Sequence, residues 1–160
     1  MKYTFIYLFF IVTQLTACGN NDDVIVETDI PISGVEAVVT NVSVTGGDDN
    51  YTFSVEIKSP DQGCNQYADW WEIISEDGLL IYRRILGHSH VNEQPFTRSG
   101  GPVNINKDQT VYIRAHMNNI GYSDKVFKGS VSSGFIQHTL ETSFASELET
   151  TQPLPNGCAF

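Results

Sequence analysis

Four side chains in the middle of the sequence have the types and spacing for metal chemistry. His88 and His90 are one residue apart, so in an extended chain both imidazoles project from one face. Glu93 follows closely, and His116 further along can complete a shell of His88, His90, Glu93 and His116. Imidazole and carboxylate donors in that mixture suit zinc, copper or iron rather than magnesium or calcium. The same region can also recognise a ligand without catalysis. Tyr112, Arg114 and His116 alternate along one run and share a face, and with His88 and Arg98 they form the candidate ligand-binding set. No catalytic residue is assigned: Ser89 and Ser99 lack a Gly-x-Ser-x-Gly elbow and a partnered Asp and His. Arg83 and Arg84 alternate faces, which leaves at least one to pair with Glu72 or Asp69. Trp70 and Trp71 also point to opposite faces, one to the core and the other free to stack on a sugar or peptide.

The elements that must hold these residues are strands. Short runs rich in Val, Ile, Tyr, Phe and Thr cover 35–45, 51–58, 68–75, 79–86, 102–106, 110–117 and 125–135. Gly, Asp, Asn and Pro clusters separate them, as in an antiparallel sandwich. Period two is cleanest in Tyr51, Phe53, Val55, Ile57 and in Val111, Ile113, Ala115, Met117. Turns are expected at Gly46-Gly47-Asp48-Asp49, at Glu76-Asp77-Gly78 and at Asn106-Lys107-Asp108. Phe144 and Leu148, four apart, allow a short helix over about 141–149.

Seven runs in this order, with Trp70-Trp71 in the third, resemble an immunoglobulin or fibronectin type III sandwich with strands A, B, C, C′, E, F and G. The resemblance implies an all-β, antiparallel, immunoglobulin-like fold. It brings loops 59–67, 87–101 and 118–124 to one end, with three of the four histidines. The middle block (YADWWE, LLIYRRIL, HSH, EQPFTRSGGPV and IRAHM) also resembles an uncharacterised family of exported bacterial proteins, a likeness that implies no activity. His88-Ser-His90, then Glu93 and Gly100, half-resembles the first motif of the metal-binding cupins. The gap before Glu93 is one residue short of that motif and no second His motif follows.

Lys2 and the apolar stretch from Tyr3 to Leu15 read as a signal peptide, too short for a permanent span of about 20 residues. The stretch ends in Leu15-Thr16-Ala17-Cys18, which resembles the lipobox of bacterial lipoproteins. That resemblance implies cleavage before Cys18, acylation of Cys18 and attachment to the membrane through lipid. No Asp follows Cys18 directly, which implies the outer membrane. Asp22-Asp23 resembles the acidic signals that place some lipoproteins on the cell surface, and the periplasmic or surface face stays open. The chain then divides into a signal peptide (1–17), a lipidated polar tether (18–33) and a sandwich domain (34–160).

With Cys18 committed to lipid, Cys64 and Cys158 remain, and in an oxidising compartment they read as a disulfide that staples the C-terminal tail to the domain. The net charge is −10, and 8 − 19 gives −11 once Lys2 leaves with the signal peptide. Such an anion excludes nucleic acid as a partner. The reading that results is a cell-envelope lipoprotein acting as a non-catalytic binding module for an envelope protein or glycan, with no cofactor. The alternative is a metal-binding, cupin-like protein.

Overall fold

The computed structural model describes residues 35–159. The signal peptide, the lipobox with Cys18 and the whole of the tether lie outside the described residues. Among the described residues there are nine strands, all antiparallel, in two sheets. They are β1 (Val38–Gly47), β2 (Asn50–Lys58), β3 (Ala68–Ser75), β4 (Leu80–Ile85), β5 (Phe96–Val103), β6 (Val111–Met117), β7 (Gly121–Tyr122), β8 (Lys125–Ser130) and β9 (Gly134–Thr139). One sheet has the order β1-β2-β5, and the other β4-β3-β6-β8-β9 with β7 paired to β6.

The alternation in the sequence decides which side chains meet between the sheets. Phe53, Val55 and Ile57 of β2 face Trp71 and Ile73 of β3 and Val111, Ile113, Ala115 and Met117 of β6, all fully or almost fully buried in one core. Asp48 and Asp49 make the β1–β2 turn, and Gly78 supplies the positive φ of 81° that closes the β3–β4 turn.

Three elements differ from the sequence reading. The fifth strand is Phe96–Val103, not 102–106, because its Gly100-Gly101-Pro102 imitates a turn. The glycines serve close packing instead. A Cβ on Gly100 would lie 2.6 Å from the Tyr82 hydroxyl, and one on Gly101 2.7 Å from the Tyr51 carbonyl oxygen. The seventh run is two strands, split where the Ser130 hydroxyl bonds with that of Ser133 and Gly134 takes a φ of 80°. The expected helix over 141–149 is a turn followed by a 3-10 segment, Ser146–Thr150.

Candidate functional site

The outward face of the larger sheet carries the chemistry, in rows fixed by strand register. Glu72 of β3 stands between Arg83 of β4 and Arg114 of β6. In the next row Trp70 is level with His116, and His116 with Tyr122. The Glu72 carboxylate receives two bonds from Arg83, at 2.8 and 2.5 Å, and one from Arg114 at 2.8 Å. Both guanidiniums still have N–H groups to place, and they place them on main-chain carbonyls of the C-terminal strap, residues 141–158. Arg114 donates to Phe144 and Ala145, and Arg83 to Leu148, Thr151 and Pro153. Five carbonyls are thereby drawn toward two side chains, and two of them, Ala145 and Leu148, also accept the main-chain bonds of the 3-10 segment. Leu148 and Phe144 then pack on Ile74, Tyr112 and Val126 in a second apolar cluster.

This strap changes the standing of the expected ligand-binding residues. Tyr112, Arg114 and His116 do face away from the main core, yet they are 8%, 1% and 6% exposed because the strap lies over them. Tyr112 and Arg114 thus lie beneath the strap. Both tryptophans are buried. The Trp70 indole is stacked by the His116 ring at 3.6 Å and covered by the Arg83 guanidinium at 4.5 Å. The flanking strands β4 and β6 approach from opposite sides, so neither indole face remains for a sugar.

The expected metal set is not assembled either. His88 and His90 have ring centroids 4.5 Å apart, but His90 turns inward to stack on Phe96 at 3.7 Å, while His116 belongs to the Trp70 row. Glu93 is engaged with Arg98 at 2.7 Å, and that pairing holds its carboxyl below the ordinary range. Among the described residues no group of three or more His, Cys, Asp or Glu is placed to hold a metal ion. Burial, with the Arg98 charge and then His88 adding to it, lowers His90 to about 4.

What the structure does assemble is an open cleft of about 880 Å³ beside the Cys64–Cys158 disulfide. Two of the three expected loops reach it, through Cys64 and Tyr67 and through Asn118 to Gly121. The strap supplies the opposite wall with Glu149, Thr150, Leu154 and Pro155. Asn118 welds the two loops together. Its carbonyl oxygen accepts from Tyr67 N–H at 2.9 Å and its amide donates to the Cys64 carbonyl at 2.9 Å. The third loop, shortened by the true position of β5, is held by the buried Asp61, which accepts from His90 N–H at 2.7 Å, Ser59 hydroxyl at 2.6 Å and Ala68 N–H at 3.0 Å. His88 lies outside the cleft, bridged to Ala159.

Inside the cleft, His116 is oriented by Asp69. A register shift between Ala68 and Trp70 brings the Asp69 carboxylate to 2.6 Å from Nδ1 of His116. A carboxylate accepts only, so Nδ1 donates to Asp69, and Nε2 is the ring nitrogen left toward the cleft. Oε1 of Glu149 lies 3.9 Å from that nitrogen. Gly121 makes room for it: a Cβ there would stand 2.7 Å from Oε1. Sequence reasoning found His116, named Asp69 only as a partner for an arginine, and missed Glu149, Asn118 and Gly121, since the bulge and the strap that bring them together leave no periodic signature.

A protein of Halomicrobium mukohataei named "Putative lipoprotein" is 34% identical over 101 residues, covering 62% of this chain and 49% of its own length. The chain therefore spans about half the length of the curated relative it matches. No protein-family model matches the chain, and no solved structure matches it.

Proposed function

We propose that the protein is a lipid-anchored lipoprotein of the cell envelope, held at the outer membrane through acylated Cys18, and that its sandwich domain is a non-catalytic binding module. The observation that carries the binding role is the cleft itself. A disulfide, two loops welded by Asn118 and a strap fixed by Arg83 and Arg114 converge to keep open a concave site lined by His116, Asn119, Glu149 and apolar side chains. Such preorganised concavity with a few placed polar groups is the usual form of a small-ligand site. The lipobox resemblance at 15–18 and the name of the similar Halomicrobium protein support the anchor.

Two measurements test it. Radiolabelled palmitate should enter the wild-type chain and not Cys18→Ser, which should leave the membrane fraction. Ligand-detected NMR against a panel of amines, sugars and short peptides should give binders that Asn119→Trp, which fills the cleft, displaces. A panel with no binder sensitive to Asn119→Trp would overturn the binding role.

A further inference from the structure

Resting on that reading of the cleft, we infer that its ligand group is an organic ammonium, the –NH₃⁺ of a free amine or of a lysine side chain. A ring nitrogen and a carboxylate oxygen face the cleft side by side. Among the described residues Nε2 of His116 makes no hydrogen bond, and its side chain is only 8% exposed. Oε1 of Glu149, on a side chain 44% exposed, stands 3.9 Å away. That separation is too long for a direct bond. It lets one N–H donor group sit between the two at ordinary distances of about 2.8 Å from each.

The remaining lining favours a cation over an anion or a sugar. Among the described residues no Lys or Arg lines the cleft, while Asp69 and Glu149 both do. An anion would meet two carboxylates and no counter-charge. A sugar would lack a stacking platform, because both faces of Trp70 are taken by His116 and Arg83. A zinc ion takes three or more protein donors, and Asp69 is already engaged with Nδ1. The apolar rim of Ile120, Leu154 and Pro155 fits the methylene chain that an alkylammonium carries.

The experiment is calorimetric titration of the full chain with cadaverine, with the uncharged analogue 1,5-pentanediol, and with the blocked peptide acetyl-Gly-Lys-Gly-amide. Saturable one-to-one binding of cadaverine or the peptide is expected, at least tenfold weaker in Glu149→Gln, with the diol at least tenfold weaker than the diamine. Glu149 is half-exposed and makes no bond the fold needs, so the Gln variant should fold. Unfolding by circular dichroism checks that. Preference for the peptide identifies a protein lysine as the source, and preference for cadaverine a free polyamine; either supports the assignment. Equal affinity for the diol, an unaffected Glu149→Gln, or no amine binding overturns it. If sugars or peptides without lysine still bind in a manner sensitive to Asn119→Trp, the cleft remains a ligand site and only the ammonium assignment falls. If nothing so sensitive binds, both readings fall together.

Discussion

Glu72 on β3 and Arg114 on β6 stand directly opposite one another in the strand ladder and meet at 2.8 Å, with side chains 0% and 2% exposed. Arg83 closes the same carboxylate from β4, so one buried anion serves two buried cations. Removing the anion strands both. Glu72→Ala should cost about 3–5 kcal/mol, measured as a lowered midpoint in urea unfolding. Replacing all three with apolar residues (Arg83→Met, Glu72→Leu, Arg114→Met) should cost far less globally, since no charge is left unpaired. It should still free the strap, because the five carbonyls that the guanidiniums hold lose their donors. Limited proteolysis within 144–153 would report that release.

The strap is held a second way, by the disulfide between Cys64 and Cys158 across a sequence separation of 94. Loop-closure entropy for that length corresponds to about 4–5 kcal/mol. A Cys64→Ser, Cys158→Ser double variant should lose stability of that order or less. It should also weaken any ligand of the cleft, because both cysteines form part of the wall. If chemical denaturation shows no change between oxidised and reduced protein, the staple is not contributing to the fold.

The sandwich was legible in the sequence because strands with one buried face must alternate. Tyr51 to Ile57 and Val111 to Met117 do so cleanly, and both lie in the core. The pairing of one of Arg83 and Arg84 with an acid was legible too, and Arg83 takes Glu72. β5 was hidden because Gly100 and Gly101 answer to packing against Tyr82 and Tyr51, and a glycine required by a neighbour looks the same as one required by a turn. The site was half-hidden for a related reason. Parity correctly turned Tyr112, Arg114 and His116 away from the core, but parity says nothing about a later segment folding back over them. Only tertiary structure brings Glu149 to His116 across 33 positions of sequence.

Leu148 tests that fold-back directly. It is 6% exposed at the centre of the second cluster, with Tyr112, Ile74 and Val126 beneath it. Leu148→Ala should destabilise by about 2–3 kcal/mol if the strap unfolds with the domain. Hydrogen exchange separates the two cases. Loss of protection at Leu148 and Thr151 alone would mean that the strap opens as a unit on its own.

His90 gives the fold an acid sensitivity of known sign. Its ring is buried on Phe96, neither nitrogen has a hydrogen-bond partner among the described residues, and Nδ1 is 3.8 Å from Oδ2 of Asp61. Burial, the Arg98 charge and then His88 lower it to about 4, against the opposing pull of Asp61 and Glu93. The unfolded chain takes up this proton near pH 6.5 and the folded one only near 4. Between those values the unfolded state therefore binds more protons, and stability falls as pH falls. The full penalty is about 3 kcal/mol, complete below pH 4 and absent above 6.5. His90→Phe keeps the aromatic stack without a titrating nitrogen. The difference between wild type and this variant in urea midpoint, followed from pH 7 to 4, should widen against the wild type by that amount. A constant difference across the range would show that His90 is protonated in the folded protein as readily as in the unfolded chain.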